Sequence, residues 1–256
     1  MLSIYQSRPA LREPALRLFW FHHAGGTGES YRSWAQLFPR DWDIVFVEYP
    51  GRGHNAHLPP ARSLTALSEL IMPSLEPLLD VPYALYGHSM GSLIAFTVAR
   101  LASEDRPPLW LGVSGRHAPH LSLRANPPLH GLSDDALAEA VYQMGGTPLH
   151  LLSTPKFRDQ LLTVMRADFE VCETHVARRE PRLGVPVSAY YGADDPALSA
   201  ESMSAWGELT AGEFCLRKFT GGHFFLAAHK AEFAQCLITD IAAVRDASRG
   251  SQRYAA

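Results

Sequence analysis

The feature that most constrains the fold of this chain is the pentapeptide Gly-His-Ser-Met-Gly at positions 87–91. It follows a short apolar run at 83–86 and precedes a stretch of helical character at 92–101. A Gly-x-Ser-x-Gly between a strand and a helix is typical of a nucleophile elbow, a tight turn that exposes the serine side chain. Glycines are expected at both ends because a Cβ there would force the strand and the helix apart. The motif favours Ser89 as a nucleophile, and a purely structural turn is the alternative.

Strand and helix signals alternate along the first half of the chain. Apolar runs predict strands at 16–21, 43–48, 83–86 and 109–114, and helical patterns lie between them at 31–37, 64–79 and 92–101. Such alternation predicts an α/β fold with a mostly parallel central sheet and helices on both faces. Residues 1–15 are expected to be a loose lead-in. Pro73 and Pro77 predict a kink in the second helix or its early end near Ile71.

The pattern changes between residues 115 and 183, where strand signals disappear and helices are predicted at 136–144 and 155–174. We interpret residues 117–182 as a helical lid inserted over the catalytic edge of the sheet, with additional core-packing helices as the alternative. Alternation then resumes with strands at 185–191 and 214–219 and helices at 203–209 and 231–244. The chain is therefore predicted to form a single domain over residues 1–256, frayed from residue 246 onward.

A serine, an acid and a histidine each follow a predicted strand, and the order along the chain is Ser89, then Asp194 or Asp195, then His223. This is the order found in α/β-hydrolases. In that fold His223 would accept the proton of the Ser89 hydroxyl, and the carboxylate would hold the imidazole in the correct tautomer. Asp195 is favoured as the acid because the following Pro196 extends its backbone at a turn, which leaves Asp194 as a solvated neighbour.

The glycine-rich loop at 22–28 follows the first strand and can direct backbone N–H groups at a ligand. We expect the N–H groups of Ala24 and Met90 to form an oxyanion hole, because one lies in this loop and the other directly follows the nucleophile. A phosphate-binding loop is the alternative, but the Gly-Lys-Ser/Thr ending is missing. A metal site is not expected, since the adjacent histidines 22 and 23 point apart in an extended chain.

Composition argues against several classes of function. The net charge is −3, so neither nucleic acid nor a membrane surface is an expected partner. No apolar run has the length of a membrane span, and the first residues lack the pattern of a signal peptide. Cys172, Cys215 and Cys236 form neither a metal-binding spacing nor an even set, which favours the reducing cytoplasm. We expect a monomer.

A set of motifs resembles the type II thioesterases, the stand-alone editing enzymes of polyketide and nonribosomal peptide synthesis. The motifs are Phe21–Gly26, Tyr49–Arg52, Gly87–Gly91, Ser114–Pro119, Gly145–Pro148, Arg166–Phe169 and Gly221–Phe225, and the resemblance covers about residues 16–240. It implies that Ser89, Asp195 and His223 are the triad and that Ala24 and Met90 are the oxyanion donors. The chain departs from the family at His22, where proline is usual, and at 52–54, which lack the usual acidic continuation.

The resemblance implies hydrolysis of acyl thioesters on the phosphopantetheine arm of acyl or peptidyl carrier proteins, which clears stalled or mis-primed acyl groups. No metal or bound organic cofactor is implied. Because a Ser-His-Asp triad does not distinguish leaving groups, a medium-chain fatty-acyl thioesterase or a small-molecule carboxylesterase stays open. A non-catalytic binding protein of the same fold is the remaining alternative.

Overall fold

The computed structural model describes residues 2–6, 11, 13–102, 106–121, 126–145, 147 and 149–253. Its strands are β1 (Ile4–Gln6), β2 (Leu16–Phe21), β3 (Trp42–Val47), β4 (Tyr83–His88), β5 (Leu111–Ser114), β6 (Val187–Gly192) and β7 (Phe214–Phe219). They form a seven-stranded sheet in the order β1-β3-β2-β4-β5-β6-β7. Strands β2 to β7 are parallel, and β1 alone pairs antiparallel, with β3. The predicted mostly parallel sheet is confirmed.

Helices flank both faces of the sheet. The α-helices are α1 (Leu64–Leu75), α2 (Met90–Leu101), α3 (Asp134–Met144), α4 (Leu149–Ser153), α5 (Pro155–Thr174), α6 (Ala200–Ser204), α7 (Phe225–Ala228) and α8 (Lys230–Arg253). Short 3-10 helices occupy Glu29–Leu37, Gly53–Asn55, Glu76–Leu78, Leu129–Gly131 and Ala205–Leu209. Within the residues that the structure describes, no helix combines the length and apolar character that crossing a membrane requires.

The amino-terminal strand β1 is absent from the sequence-based prediction. Ile4 pairs with Val47 of β3, and the Asn55 side chain bonds both the N–H and the carbonyl oxygen of Ser3, at 2.9 and 3.1 Å. The expectation of a loose lead-in is therefore wrong for these residues. A three-residue strand is too short to show an alternating pattern, so only its pairing with β3 reveals it.

The two largest differences from the predicted helix boundaries are at the ends of α1 and α8. The sequence predicts either a kink in α1 or an end near Ile71. The helix continues through Pro73 to Leu75, so the early end is wrong, and the kink stays a prediction. Both Pro73 and Glu69, whose carbonyl would otherwise receive a hydrogen bond from position 73, are exposed, and water can satisfy that carbonyl. Helix α8 extends to Arg253, past the predicted end at 244, and residues 254–256 lie outside the described residues.

Two apolar cores lie on opposite faces of the sheet. Along β2, Leu18 and Trp20 pack into one core together with α8, whereas Phe19 and Phe21 pack into the other together with α1 and α2. All six residues of this strand are buried. Because a central parallel strand is covered on both faces, it appears in the sequence as a continuous apolar run. The carboxyl ends of β2, β4, β6 and β7 meet at one edge, where the functional loops lie.

Helices α3, α4 and α5 fill the interval between β5 and β6, where the described residues contain no strand of the sheet. A third, small apolar cluster joins Leu137 and Val141 of α3 to Leu162, Met165 and Phe169 of α5. Ala24, in the loop after β2, packs against this cluster. The inserted helices thus contact the functional edge of the sheet. Their action as a lid over residues 117–182, and the single domain at 1–256, stay predictions.

Candidate active site

Ser89 occupies the turn between β4 and α2. Its backbone has φ 56° and ψ −116°, and among the described residues it is the one non-glycine residue with positive φ. Its N–H donates to the carbonyl oxygen of Ser114 at 2.7 Å. Such a conformation costs on the order of 1–3 kcal/mol and persists only where the surroundings fix it. The turn holds Ser89 at the helix amino terminus, with its side chain partly exposed.

The two glycines of the elbow allow close backbone packing on either side of this turn. A Cβ on Gly87 would lie 2.0 Å from the carbonyl oxygen of Gly91. A Cβ on Gly91 would lie 2.0 Å from the carbonyl oxygen of Phe21, at the end of β2. Both positions therefore exclude any side chain. The second contact brings Ser89 next to the loop that carries Ala24.

His223 and Asp195 form a directly bonded pair. The Nδ1 atom of His223 lies 2.7 Å from Oδ2 of Asp195, whose other carboxylate oxygen accepts a bond from the Ala197 N–H at 3.0 Å. Asp195 is 5% exposed. Asp194 is exposed and accepts a bond from the Gly221 N–H at 3.1 Å, so it braces the histidine loop without touching the ring. Of the two candidate acids, the structure places Asp195 on the imidazole.

Ser89 and His223 face the same space. Two cavities of about 460 and 400 Å³ lie at the functional edge, and both are lined by Ala24, Ser89, Met144, Phe169 and His223. Asp195 borders the larger cavity. The inserted helices α3 and α5 contribute the apolar walls through Met144 and Phe169. A substrate can therefore reach the serine and the histidine together while its apolar part contacts the inserted helices.

Two backbone N–H groups are available beside Ser89. The N–H of Met90 is the first of helix α2, where amides have no intrahelical acceptor and carry a partial positive charge. The N–H of Ala24 lies in the loop after β2. In the part of the chain that the structure describes, neither N–H donates to a protein acceptor. Two free backbone N–H groups beside a nucleophile can form an oxyanion hole.

Two buried charges support this loop, and the sequence analysis assigned them no role. The carboxylate of Asp168, on α5, accepts bonds from the Gly25 N–H at 2.7 Å and from Arg52 at 2.6 and 2.7 Å. Asp168 is 2% exposed and Arg52 6%. A signal was present in the sequence: Asp168 occurs on the apolar face of α5, between Met165 and Phe169. Its partners are too distant along the chain to be inferred from that pattern.

His22, which replaces the proline usual at this position, is held by several contacts. Its Nδ1–H donates to the carbonyl oxygen of His23 at 2.9 Å, and its own carbonyl oxygen accepts a bond from the Tyr49 hydroxyl at 3.1 Å. Its Nε2 lies 3.6 Å from Oε1 of Glu48, and both side chains are buried. These bonds fix the loop in place of the proline ring. In the described ranges, no group of three or more His, Cys, Asp or Glu side chains is arranged to hold a metal ion.

Two neutral imidazoles lie beside His223. Burial lowers the pKa of His23 to about 3, with smaller contributions from His22 and His223. Burial likewise lowers the pKa of His88 well below its usual range, and the His88 ring centroid lies 5.1 Å from that of His223. Nδ1 of His23 is bonded to the Tyr31 hydroxyl at 2.8 Å. Because both rings stay neutral near pH 7, they place no positive charge against a developing imidazolium at His223.

We expect the free energy of unfolding to fall as the solution is acidified below about pH 6.5. His23 has a pKa of about 3 in the folded state and 6.5 as a model group, so between these values the unfolded chain binds more protons. The stabilisation is complete above pH 6.5, and at pH 5 His23 alone accounts for a loss of about 2 kcal/mol. Urea unfolding at pH 7 and pH 5 measures this, and His23→Gln is expected to show a shallower dependence. If His23→Gln showed the same pH dependence of unfolding as the wild type, that result would contradict the low pKa of His23.

The chain belongs to the thioesterase family, a class of thioester hydrolases. The family's sequence model, described as a thioesterase domain, matches residues 16–241. The gramicidin S biosynthesis protein GrsT of Aneurinibacillus migulanus is 33% identical over 222 residues, which are 86% of this chain and 86% of that protein.

Comparison with solved structures identifies a subclass within the thioesterase family. The type II thioesterase BorB from the borrelidin biosynthetic cluster superimposes with a TM-score of 0.84 at 30% identity, over 93% of this chain and 97% of that chain. The thioesterase RedJ of the prodiginine pathway in Streptomyces coelicolor superimposes with a TM-score of 0.80 at 36% identity, over 91% of each chain. The chain is a type II thioesterase of the α/β-hydrolase fold, and the family resemblance drawn from its motifs is confirmed.

Proposed function

We propose that this enzyme hydrolyses acyl thioesters carried on the phosphopantetheine arm of acyl or peptidyl carrier proteins, and so removes stalled or mis-primed acyl groups in polyketide or nonribosomal peptide synthesis. The observation that carries the proposal is the His223–Asp195 pair facing Ser89 across a shared cavity, in a chain whose relatives include proteins of such pathways. The site supplies the hydrolytic chemistry, and the relatives from such pathways favour the carrier-linked reaction over the fatty-acyl thioesterase and carboxylesterase alternatives.

In the proposed reaction Ser89 Oγ attacks the thioester carbonyl carbon while His223 takes the hydroxyl proton. Asp195 stabilises the resulting imidazolium, and the N–H groups of Ala24 and Met90 bind the oxyanion. The C–S bond then breaks, and the thiol leaves with the proton from His223. A water molecule, deprotonated by the same histidine, releases the acyl group as a carboxylic acid and restores the serine.

The proposed reaction requires no metal ion and no bound organic cofactor, because nucleophile, base and oxyanion donors are all supplied by the chain. The phosphopantetheine group belongs to the substrate. Carrier proteins are the proposed partners, and the enzyme is proposed to act as a monomer. A cytoplasmic location is proposed as well, which the three free cysteines support, since unpaired thiols persist in a reducing compartment.

One acyl group presented on three leaving groups tests the proposal. We expect kcat/KM to be highest for the carrier-bound thioester and at least about tenfold lower for the coenzyme A thioester, because a carrier contact worth only about 1.4 kcal/mol produces that ratio. The corresponding oxygen ester is expected to be the slowest. Equal turnover of the carrier and coenzyme A thioesters would favour the fatty-acyl alternative, and faster turnover of the oxygen ester would favour a carboxylesterase.

A further inference from the structure

We propose that Asp168 is a positioning residue for the oxyanion hole, which acts by holding the Gly25 N–H so that the preceding Ala24 N–H stays directed at the reacting carbonyl beside Ser89. Arg52 holds the carboxylate in place. The inference rests on the proposed function, because it assigns the Ala24 N–H to the oxyanion. A side chain on the inserted helix α5 thus supports a backbone donor in a loop of the sheet.

The Asp168 carboxylate accepts three hydrogen bonds. Oδ2 accepts from the Gly25 N–H at 2.7 Å and from Nη1 of Arg52 at 2.6 Å, and Oδ1 accepts from Nη2 of Arg52 at 2.7 Å. Because the peptide bond is planar, fixing the Gly25 N–H also fixes the orientation of the Ala24 carbonyl. The bond therefore restricts the backbone torsion on the carboxyl side of Ala24.

A second contact from the same helix restrains the same glycine. Met165 lies one turn before Asp168 on α5, and a Cβ on Gly25 would approach its Sδ to 2.1 Å. Gly25 has φ +73°, a conformation that residues other than glycine rarely adopt. Two side chains of α5, the Met165 thioether and the Asp168 carboxylate, therefore lie against Gly25. Its Gly26 N–H also closes a turn onto the carbonyl oxygen of His23, at 3.0 Å.

The bonds of the Arg52–Asp168 pair distinguish a positioning role from a purely stabilising one. Removing both charges of an ion pair from water carries a cost that their attraction often does not recover, even with two charge-assisted bonds as in the Arg52–Asp168 pair. An ion pair that served stability alone would need no bond to the loop amide. Arg52 adds a second route to the loop: its guanidinium lies 5.4 Å from the ring centroid of Tyr49, whose hydroxyl donates to the carbonyl oxygen of His22.

The chain contains a matched buried pair away from the site. Arg17 of β2 donates to Asp43 of β3 at 2.8 Å, and these residues are 6% and 2% exposed. This pair lies near the starts of the two strands, at the opposite end of the sheet from Ser89. Asp43→Asn therefore reproduces the loss of a buried carboxylate beside an arginine without touching the oxyanion loop.

The experiment compares Asp168→Asn with Asp43→Asn in the full chain. In Asp168→Asn a single side-chain oxygen remains for three donors. With that oxygen on the Gly25 N–H, the NH2 group opposes Nη2 of Arg52, and we expect this donor–donor contact to push the side chain away from Gly25. We expect kcat to fall by about 10²–10³, the effect typical of losing one oxyanion donor, with KM changed less than about threefold. Asp43→Asn is expected to lower the denaturation midpoint while kcat stays within about twofold of the wild type.

Binding of two analogues provides a readout that a purely structural role would not change. A trifluoromethyl ketone analogue of the acyl thioester forms a tetrahedral adduct with the serine and needs the oxyanion donors, whereas a thioether analogue does not. Asp168→Asn is expected to weaken the ketone by the same factor as kcat/KM and to leave the thioether affinity unchanged. If that variant does not fold, Arg52→Lys, which keeps the charge with a single donor head, is expected to show the same pattern at a smaller amplitude.

Three results would overturn the inference: an unchanged kcat in Asp168→Asn, an equal loss of affinity for both analogues, or the same loss of kcat in Asp43→Asn. Ketone binding needs only Ser89 and the oxyanion donors. It therefore tests the role of Asp168 even if carrier-bound thioesters are not the substrate, and the two failures remain distinguishable.

Discussion

Replacing Ser89 by alanine is expected to lower kcat by about 10⁴–10⁶, the largest effect of any single change in this chain. The variant loses the atom that forms the acyl-enzyme, whereas the oxyanion donors and the cavity remain. The fold is expected to persist, because alanine and serine carry the same Cβ at the strained φ of 56°. Release of free thiol from an acyl-coenzyme A substrate, followed with a thiol reagent, measures the loss.

Ser63→Ala is the control for a general loss of stability in the Ser89 variant. Ser63 caps helix α1 by accepting a bond from the Ala66 N–H, and its loss is expected to cost about 1 kcal/mol of stability. Turnover by that variant is expected to stay within about twofold of the wild type. Turnover by Ser89→Ala at more than about a hundredth of the wild-type rate would remove Ser89 from the nucleophile role.

Replacing Asp195 by asparagine is expected to lower kcat by about 10⁴. The buried carboxylate accepts the Nδ1–H of His223 at 2.7 Å, and an amide there can instead donate to Nδ1, which fixes the wrong tautomer and withdraws the base from Ser89. Asp194→Asn is the matched control, because the Asn amide oxygen can still accept from Gly221 and the residue is exposed. Steady-state kinetics of both variants measure the difference, and equal losses would show that the acid was assigned to the wrong residue.

The nucleophile elbow could be predicted from sequence because its constraints are local. Gly87 and Gly91 must lack a Cβ, and that requirement is visible within five residues of Ser89. The buried parallel strands were equally visible, since strands covered on both faces appear as continuous apolar runs. The position of His223 followed from the order of strands along the chain. These features need no knowledge of which distant residues touch.

Features that depend on contacts between distant segments could not be predicted. Strand β1 has three residues and is recognisable only by its pairing with β3. Helix α1 passes through Pro73 at an exposed position where water can bond the carbonyl of Glu69, and that exposure depends on which distant segments pack against the helix. The Arg52–Asp168 pair joins residues 116 positions apart, so the motifs that contain them gave no indication of a shared role at Gly25.

Intact-mass spectrometry of acyl-loaded carriers measures whether Ser89 removes acyl groups from carrier proteins. A panel of carriers bearing short, long, branched and peptidyl groups is incubated with the wild-type enzyme or with Ser89→Ala. Our expectation is that the wild-type enzyme returns loaded carriers to the mass of the free phosphopantetheine form, while Ser89→Ala leaves them acylated. Carriers that stay loaded with the wild-type enzyme, or that both proteins unload equally, would contradict it.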